Sequence, residues 1–325
     1  MRNTHTNTAK TLAALDLGSN STMLLVGRET AQGRIEEEAE YLEVTGLGRG
    51  VKETGRLNEA AIDRTLSVVR RYMDVVKTEP HLAMVAVATS AVREAGNGEA
   101  FLRRCEPLVG AQPYVINGND EAVAAFHAAA SGMVAGGGLV NVDIGGGSTE
   151  IAAGKAGICR IAESVNVGCV NLAEGFDLQD RASKPQIDRA AENAAHILGR
   201  ACASVRGAVR KGPLSVVASG GTATTYASMI LELHAFDRER IEGVEAETCD
   251  ITAAAWRLCG MAQDDVAALP GVGADRAGVF PAGVLVLSQV LKMLAVRRIR
   301  ITTRGLRYGV LIRLQRGELA PSVSW

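Results

Sequence analysis

A short apolar segment that ends in aspartate and runs into a glycine turn occurs twice in this chain, as LDLGSNS at 15–21 and VDIGGGS at 142–148. Both copies sit in the same local frame. Leu12 to Asp16 reads as a buried strand, Gly18-Ser19-Asn20-Ser21 as a turn, and about Thr22 to Arg28 and Arg34 to Val44 as two further strands. Leu139 to Ile144, the turn Gly145-Gly146-Gly147-Ser148, Thr149 to Ala153 and Ile158 to Val165 repeat that order. The repeat is far longer than the roughly 20–50-residue period of a solenoid, so it implies duplicated domains. The length of 325 residues agrees, being that of two ordinary domains.

Helical and strand segments alternate after each meander. Ile62, Leu66, Val69, Met73 and Val76 recur at helical spacing over 58–78, with Asn58 as the cap. Ala83 to Ala88 reads as a central strand, Phe101 to Val109 as a helix and Pro113 to Ile116 as a short strand. Asn119 is expected to cap an alanine-rich helix, Asp120 to Gly132. In the second half a long helix covers 185–210, and a strand, Ser215 to Ala218, leads into Gly220-Gly221-Thr222 and a helix. Residues 235–250 read as loop, about Thr252 to Met261 as helix, Ala282 to Ala295 as an amphipathic helix, Ile299 to Thr303 as strand and Leu306 to Gln315 as helix. The class is α/β. Composition alone puts the boundary in the glycine-rich stretch Gly132 to Gly138.

Several functions are excluded or disfavoured. A net charge of −1 does not suit a globally basic nucleic-acid binder, so an anion site must be a local concentration of Arg and Lys. The six cysteines, Cys105, Cys159, Cys169, Cys202, Cys249 and Cys259, form no CxxC pair and read as buried free thiols. The first ten residues are polar, unlike a signal peptide, and no run of about eighteen apolar residues could span a bilayer; a cytoplasmic address and no membrane partner are expected. His5, His81, His127, His196 and His234 show no ligand spacing, and no GxSxG elbow or P-loop is present.

The glycine turns carry the chemistry. Backbone N–H groups in a turn without bulky side chains can approach an anion closely, and an aspartate at the strand end can hold Mg²⁺ directly or through water. Read alone, DLGSNS fits a plain turn as well as an anion cradle. DIGGGSTE is more telling: three consecutive glycines weaken a strand turn, and Asp143 and Glu150 place a carboxylate on either side. Two such loops facing each other would clamp a phosphoanhydride. Ser219-Gly220-Gly221-Thr222 could be a second anion site at a helix N-terminus or an ordinary turn. Glu121 lies in the first turn of its helix, where carboxylates are common for dipole reasons and where one would also stay ionised as a base. Arg93, in a loop after a strand, could fork a phosphate or be a surface residue. Arg297, Arg298, Arg300, Arg304 and Arg307 form the densest basic stretch, a solvated face or a guide for a polyanion.

Taken together, LAALDLGSNST, ATSAVREAGN, INGNDEAVAAF, LVNVDIGGGSTE, VASGGTATTYA and GVFPAGVLVL, in this order, resemble the Ppx/GppA phosphatase family from about residue 11 to 315. The resemblance implies a two-domain actin-like fold of the sugar kinase and actin superfamily, ribonuclease H-like, with the active site in the interdomain cleft. It divides the chain into residues 1–118 plus 300–325 and residues 119–299. It further implies Glu121 as catalytic base, Glu150 as an assisting carboxylate and metal ligand, Asp143 as the Mg²⁺-associated aspartate (Mn²⁺ being possible), and Arg93 as a cleft arginine. Asp16, Gly18, Ser19 and Asn20 match one phosphate loop; Gly145, Gly146, Gly147 and Ser148 match the other. The expected activity is exopolyphosphatase, with guanosine pentaphosphate phosphohydrolase as the alternative, a non-catalytic nucleotide-binding sensor as the second and a kinase of the same fold as a third. The expected partner is inorganic polyphosphate or guanosine pentaphosphate, with no nucleic acid and a possible homodimer. Where such sequences often read Thr-Arg-Leu-Gly, this chain has Thr45-Gly46-Leu47-Gly48-Arg49, which opens the question whether Arg49 replaces the arginine absent at Gly46.

Overall fold

The computed structural model describes residues 10–79, 81–132, 137–209 and 214–324. The polar tail, the middle of the Gly132 to Gly138 boundary, Arg210 at the end of the expected long helix, and Trp325 lie outside the described residues.

Seven consecutive buried residues make β1 (Thr11–Leu17) a strand covered on both faces. It pairs antiparallel with β2 (Ser21–Glu29), which pairs with β3 (Ile35–Val44). A short α1 (Val51–Thr54) and an amphipathic α2 (Glu59–Val76) follow, the latter capped by the Asn58 side chain on Ala60 and Ala61 N–H. Then β4 (Leu82–Ala88) lies parallel to β1. The segment read as a loop around Arg93 is a short helix, α3 (Ser90–Glu94), followed by α4 (Gly98–Val109), β5 (Tyr114–Val115) and α5 (Gly118–Ser131). The cap of α5 is Asn117, not Asn119: its side chain accepts from Asp120 N–H, so the helix starts two residues earlier than expected.

The second half repeats the wiring. β6 (Gly138–Ile144), β7 (Thr149–Lys155) and β8 (Ile158–Val165) form the second meander, α6 (Cys169–Gly175) and α7 (Lys184–Ala208) follow, and β9 (Leu214–Ser219) lies parallel to β6. After α8 (Gly220–Ile230) the stretch read as loop contains α9 (Arg238–Ile241), β10 (Glu245–Glu247) and the start of α10 (Thr248–Cys259). Its elements are too short for any period to show. Next come α11 (Gln263–Ala267), α12 (Ala274–Ala277) and α13 (Phe280–Leu294). α13 is not amphipathic: Phe280 to Leu291 are all buried, because helices α6, α7, α8 and α10 surround it. β11 (Arg298–Ile301), α14 (Leu306–Gln315) and β12 (Val323–Ser324) end the chain.

Among the described residues the two sheets have six strands each, ordered β12-β4-β1-β2-β3 with β5 also on β4, and β10-β11-β9-β6-β7-β8. β1 to β3 correspond to β6 to β8, β4 to β9 and β5 to β11. Each half therefore ends its parallel strands with a helix, α5 after β5 and α14 after β11. These helices cross over. Ala122, Phe126 and Ala129 of α5 pack on the second sheet, while Leu306, Val310 and Leu311 of α14 pack with Leu12 and Ala14 of the first. Their contact is so close that a Cβ on Gly309 would sit 2.0 Å from the Ala124 carbonyl oxygen. This is the duplicated α/β architecture of the actin-like fold. Four cysteines are buried free thiols as expected; Cys159 is half-buried and Cys249 is exposed on the first turn of α10.

Candidate active site

The two glycine turns close identically. Gly18 N–H donates to Ser21 O at 3.0 Å and Gly145 N–H to Ser148 O at 2.9 Å. Turn carbonyls point away from the cleft: Asn20 O accepts from Thr45 and Gly46 N–H, and Gly146 O from Val170 and Asn171 N–H. The N–H groups of Ser19, Asn20, Gly146 and Gly147 find no backbone acceptor among the described residues. They are the kind of donors that cradle an anion.

The turns touch. A Cβ on Gly146 would lie 2.9 Å from Ser19 Cβ, and one on Gly147 2.6 Å from Ser90 Oγ. Close approach of the halves thus requires glycine at 146 and 147, a packing reason that the sequence reading, resting on the anion alone, did not contain. Ser19 Oγ is 2.9 Å from Ser90 Oγ and accepts from Ala91 N–H, which ties the first turn to α3.

Between the turns lies a cavity of about 920 Å³. Asp16, Asp143, Glu150 and Glu121 line it. Asp16 and Asp143 each precede the last residue of a first strand. Asp143 Oδ2 accepts from Ser219 Oγ at 3.0 Å, and Glu150, its register partner across β6 and β7, accepts from Ser164 Oγ at 2.7 Å. Asp16 Oδ1 and Glu121 Oε2 are buried without a hydrogen-bond partner. Burial pushes Asp16 up to about 7, against the pull of Arg307 and with the push of Asp143. Glu150 also rises to about 7, through burial and Asp143. Glu121 rises well above the usual carboxylate range, through burial and the charges of Glu150, Asp16 and Asp143, against Arg93. Asp143 is raised by burial, against the Ser219 hydrogen bond and Arg307. Carboxylates gathered in this way await a cation or a proton.

Not every expected residue reaches the cavity. Arg93 donates to Ile116 O at 2.8 Å and stands 3.9 Å from Glu121 Oε2; it backs Glu121 and does not line the cavity. Gly147 faces Ser90 and is not a lining residue either. Arg49 is exposed and lies over Gly46, whose added Cβ would be 2.9 Å from Arg49 Nε, and it too is absent from the lining. The basic stretch divides. Arg297, Arg298 and Arg300 pair with Glu245 and Glu247 on β10, Arg304 stacks on Tyr308, and Arg307 lines the cavity. Gly220 and Gly221 also line it: Gly220 has φ +79 and a Cβ there would strike Asp143 Oδ1. The sequence reading missed Arg276, whose guanidinium lies over Gly221 and lines the cavity; burial lowers its pKa. No periodicity or motif marks that residue. His234, one of the histidines without ligand spacing, is exposed and lies at the cavity lining.

The Ppx/GppA phosphatase family pattern matches residues 26–317. The chain belongs to the Ppx/GppA phosphatase family. It is 30% identical over 299 residues to Exopolyphosphatase 2 of Mycobacterium tuberculosis, covering 88% of this chain and 91% of that protein. The crystal structure of the Aquifex aeolicus member of the Ppx/GppA family is 30% identical, with a TM-score of 0.77 over 95% of this chain and 99% of that one. An exopolyphosphatase-like protein of known structure is 26% identical, with a TM-score of 0.85 over 95% of this chain and 100% of that one. An exopolyphosphatase from Cytophaga hutchinsonii, 22% identical, shares the fold at a TM-score of 0.85 over 95% of this chain and 98% of that one. As a Ppx/GppA phosphatase, the chain is a phosphoanhydride hydrolase. Among the described residues, no helix is long and apolar enough to cross a membrane.

Proposed function

We propose that this Ppx/GppA phosphatase is an exopolyphosphatase that releases terminal orthophosphate from inorganic polyphosphate in the cleft between the two turns. The observation that carries the reading is the pair of touching turns with unused N–H groups, set among four carboxylates in one cavity. The division into residues 1–118 plus 300–325 and 119–299 is proposed on the packing of α14 against the first sheet, although β11, from Arg298, pairs in the second.

In this mechanism Glu121 takes a proton from the attacking water. The new bond forms between water oxygen and the terminal phosphorus, the bridging P–O bond breaks, and the shortened chain leaves as an anion. Free N–H groups of both turns meet the charge on the phosphoryl oxygens, so catalysis is positioning plus electrostatics. Glu150, held by Ser164, raises the basicity of Glu121 by its charge. Arg93 orients Glu121 rather than touching phosphate.

The donors fit Mg²⁺ or Mn²⁺: they are carboxylate oxygens, and Asp16 Oδ1 is buried without a partner. No three His, Cys, Asp or Glu side chains form a ready cluster among the described residues. Asp143 and Asp16 would therefore hold such an ion together with substrate phosphate, and it would supply charge neutralisation. Glu150, already held by Ser164, would serve less as a ligand than the family resemblance implied.

One observation favours guanosine pentaphosphate as a second reading. Beyond the carboxylates the cavity is lined by Phe236, Leu269, Pro270 and Val272, and Phe236 is 55% exposed. Inorganic polyphosphate has no apolar part to use that end; a nucleoside has. Phosphate release from tripolyphosphate, long polyphosphate, guanosine pentaphosphate and ATP, assayed side by side with Mg²⁺, separates the readings. Release from the inorganic chains is the expected result. Release from guanosine pentaphosphate alone, lost in Phe236→Ala, would move the assignment.

A further inference from the structure

We infer that Arg307 contacts the substrate, its free amino edge taking an oxygen of the transferred phosphoryl group, and that Glu40 is the residue that positions it. The inference rests on the phosphohydrolase reading above.

The duplication leads to this residue. α5 and α14 occupy corresponding places in the two halves, cross at Ala124 and Gly309, and bring their first turns to the same cavity. The first turn of α5 carries Glu121; that of α14 carries Arg307. One half thus delivers a carboxylate and the other a guanidinium.

The side chain of Arg307 is prepared for an anion. It is 13% exposed, and its Nη2 is 2.5 Å from Glu40 Oε1. Its Nη1 is buried and has no hydrogen-bond partner. Buried guanidinium donors are costly to leave unpaired, so an unpaired one on a residue that lines the cavity calls for a partner. The same guanidinium pulls down the carboxyl groups of both Asp16 and Asp143, which places it beside the strand ends that carry the two turns.

Two neighbouring arginines, Arg93 and Arg238, are otherwise engaged. Arg93 is bonded behind Glu121. Arg238 pairs with Glu37 and Glu40 and donates to Thr303 Oγ1. Glu40 therefore receives Arg307 from α14 and Arg238 from α9 at once, which fixes the orientation of the Arg307 fork. Arg307 neither gains nor loses a proton in the reaction; it meets the negative charge that moves onto the phosphoryl oxygens as the bridging bond breaks.

The test uses the full chain and tripolyphosphate. Arg307→Lys, which keeps the charge and loses the fork, is expected to lower kcat about 10²-fold, the order seen when one transition-state donor is removed. Arg307→Ala should fall further and recover in part with millimolar guanidinium, which Arg93→Ala should not. Glu40→Gln should lower kcat with little change in KM, as expected for loss of orientation rather than of binding. Calorimetric binding of tripolyphosphate, in the Glu121→Gln background, gives a readout independent of turnover: adding Arg307→Ala should weaken it at least tenfold. Unchanged affinity, or kcat within about threefold of the parent in folded Arg307→Lys, would overturn the inference. Absence of turnover with the binding loss intact would count against the phosphohydrolase reading and leave the Arg307 contact standing.

Discussion

β1 and β6 end alike, in an aspartate before a glycine turn, but the residues across their hairpins differ. Met23 stands opposite Asp16; Glu150 stands opposite Asp143. The turns differ too. The first presents Ser19 and Asn20, the second Gly146 and Gly147, and the second is bare because Ser19 presses on Gly146 and Ser90 on Gly147. Duplication therefore built the frame, two turns aimed into one cavity, and divergence supplied the chemistry. Each half now holds what its counterpart lacks.

Making the halves alike should remove activity from one side only. Glu150→Gln is expected to lower kcat about 10²-fold, the scale of one preorganised electrostatic group, whereas Met23→Gln should stay within about threefold; steady-state phosphate release measures both. Equal losses would mean that the hairpin asymmetry has no catalytic meaning. Gly146→Ala should push the turns apart, cost roughly 1–3 kcal/mol as an overpacked contact does, and raise KM; thermal melts and kinetics report on it. If Gly146→Ala matched the parent in both, the turns would not meet as described.

The smallest effect is on pH dependence. With Asp16 and Glu150 raised to about 7, the folded chain binds protons between about pH 4 and 7 that the unfolded chain has released. Stability is then greatest below the unfolded carboxylate range, falls as pH rises through about 7, and levels off above it. Melting in chelator from pH 5 to 8 should show this fall, and Asp16→Asn should flatten it while losing activity. A melting temperature that rises over this range would contradict the burial of unpaired carboxylates.

The sequence carried much of the frame because β1, β4, β6 and β9 are apolar runs broken by glycine, and such runs are visible without a partner. Leu306 to Gln315 and Ile158 to Val165 have the bounds the pattern implies. Elements whose order comes from neighbours were hidden: α13 is buried all round, and β10 is three residues held by β11. The start of α5 was misplaced: Asn119 was the expected cap, whereas the Asn117 side chain accepts from Asp120 N–H. Within the site, carboxylates beside glycine turns were legible. Arg276 was not, since it lies on the four-residue α12 that no motif marks, and the place of Arg307 was not, since the crossing of α5 and α14 sets it. Arg93 was expected as a cleft arginine, but it does not line the cavity: it is bonded to Ile116 O behind Glu121.

In the proposed mechanism Glu121 activates water in this cleft. Phosphate release from tripolyphosphate by Glu121→Gln, alongside calorimetric binding of the same ligand, tests it most directly. Binding is expected to stay close to that of the parent while kcat falls by about 10²–10⁴. A folded Glu121→Gln protein that hydrolyses tripolyphosphate near the parent rate would contradict it.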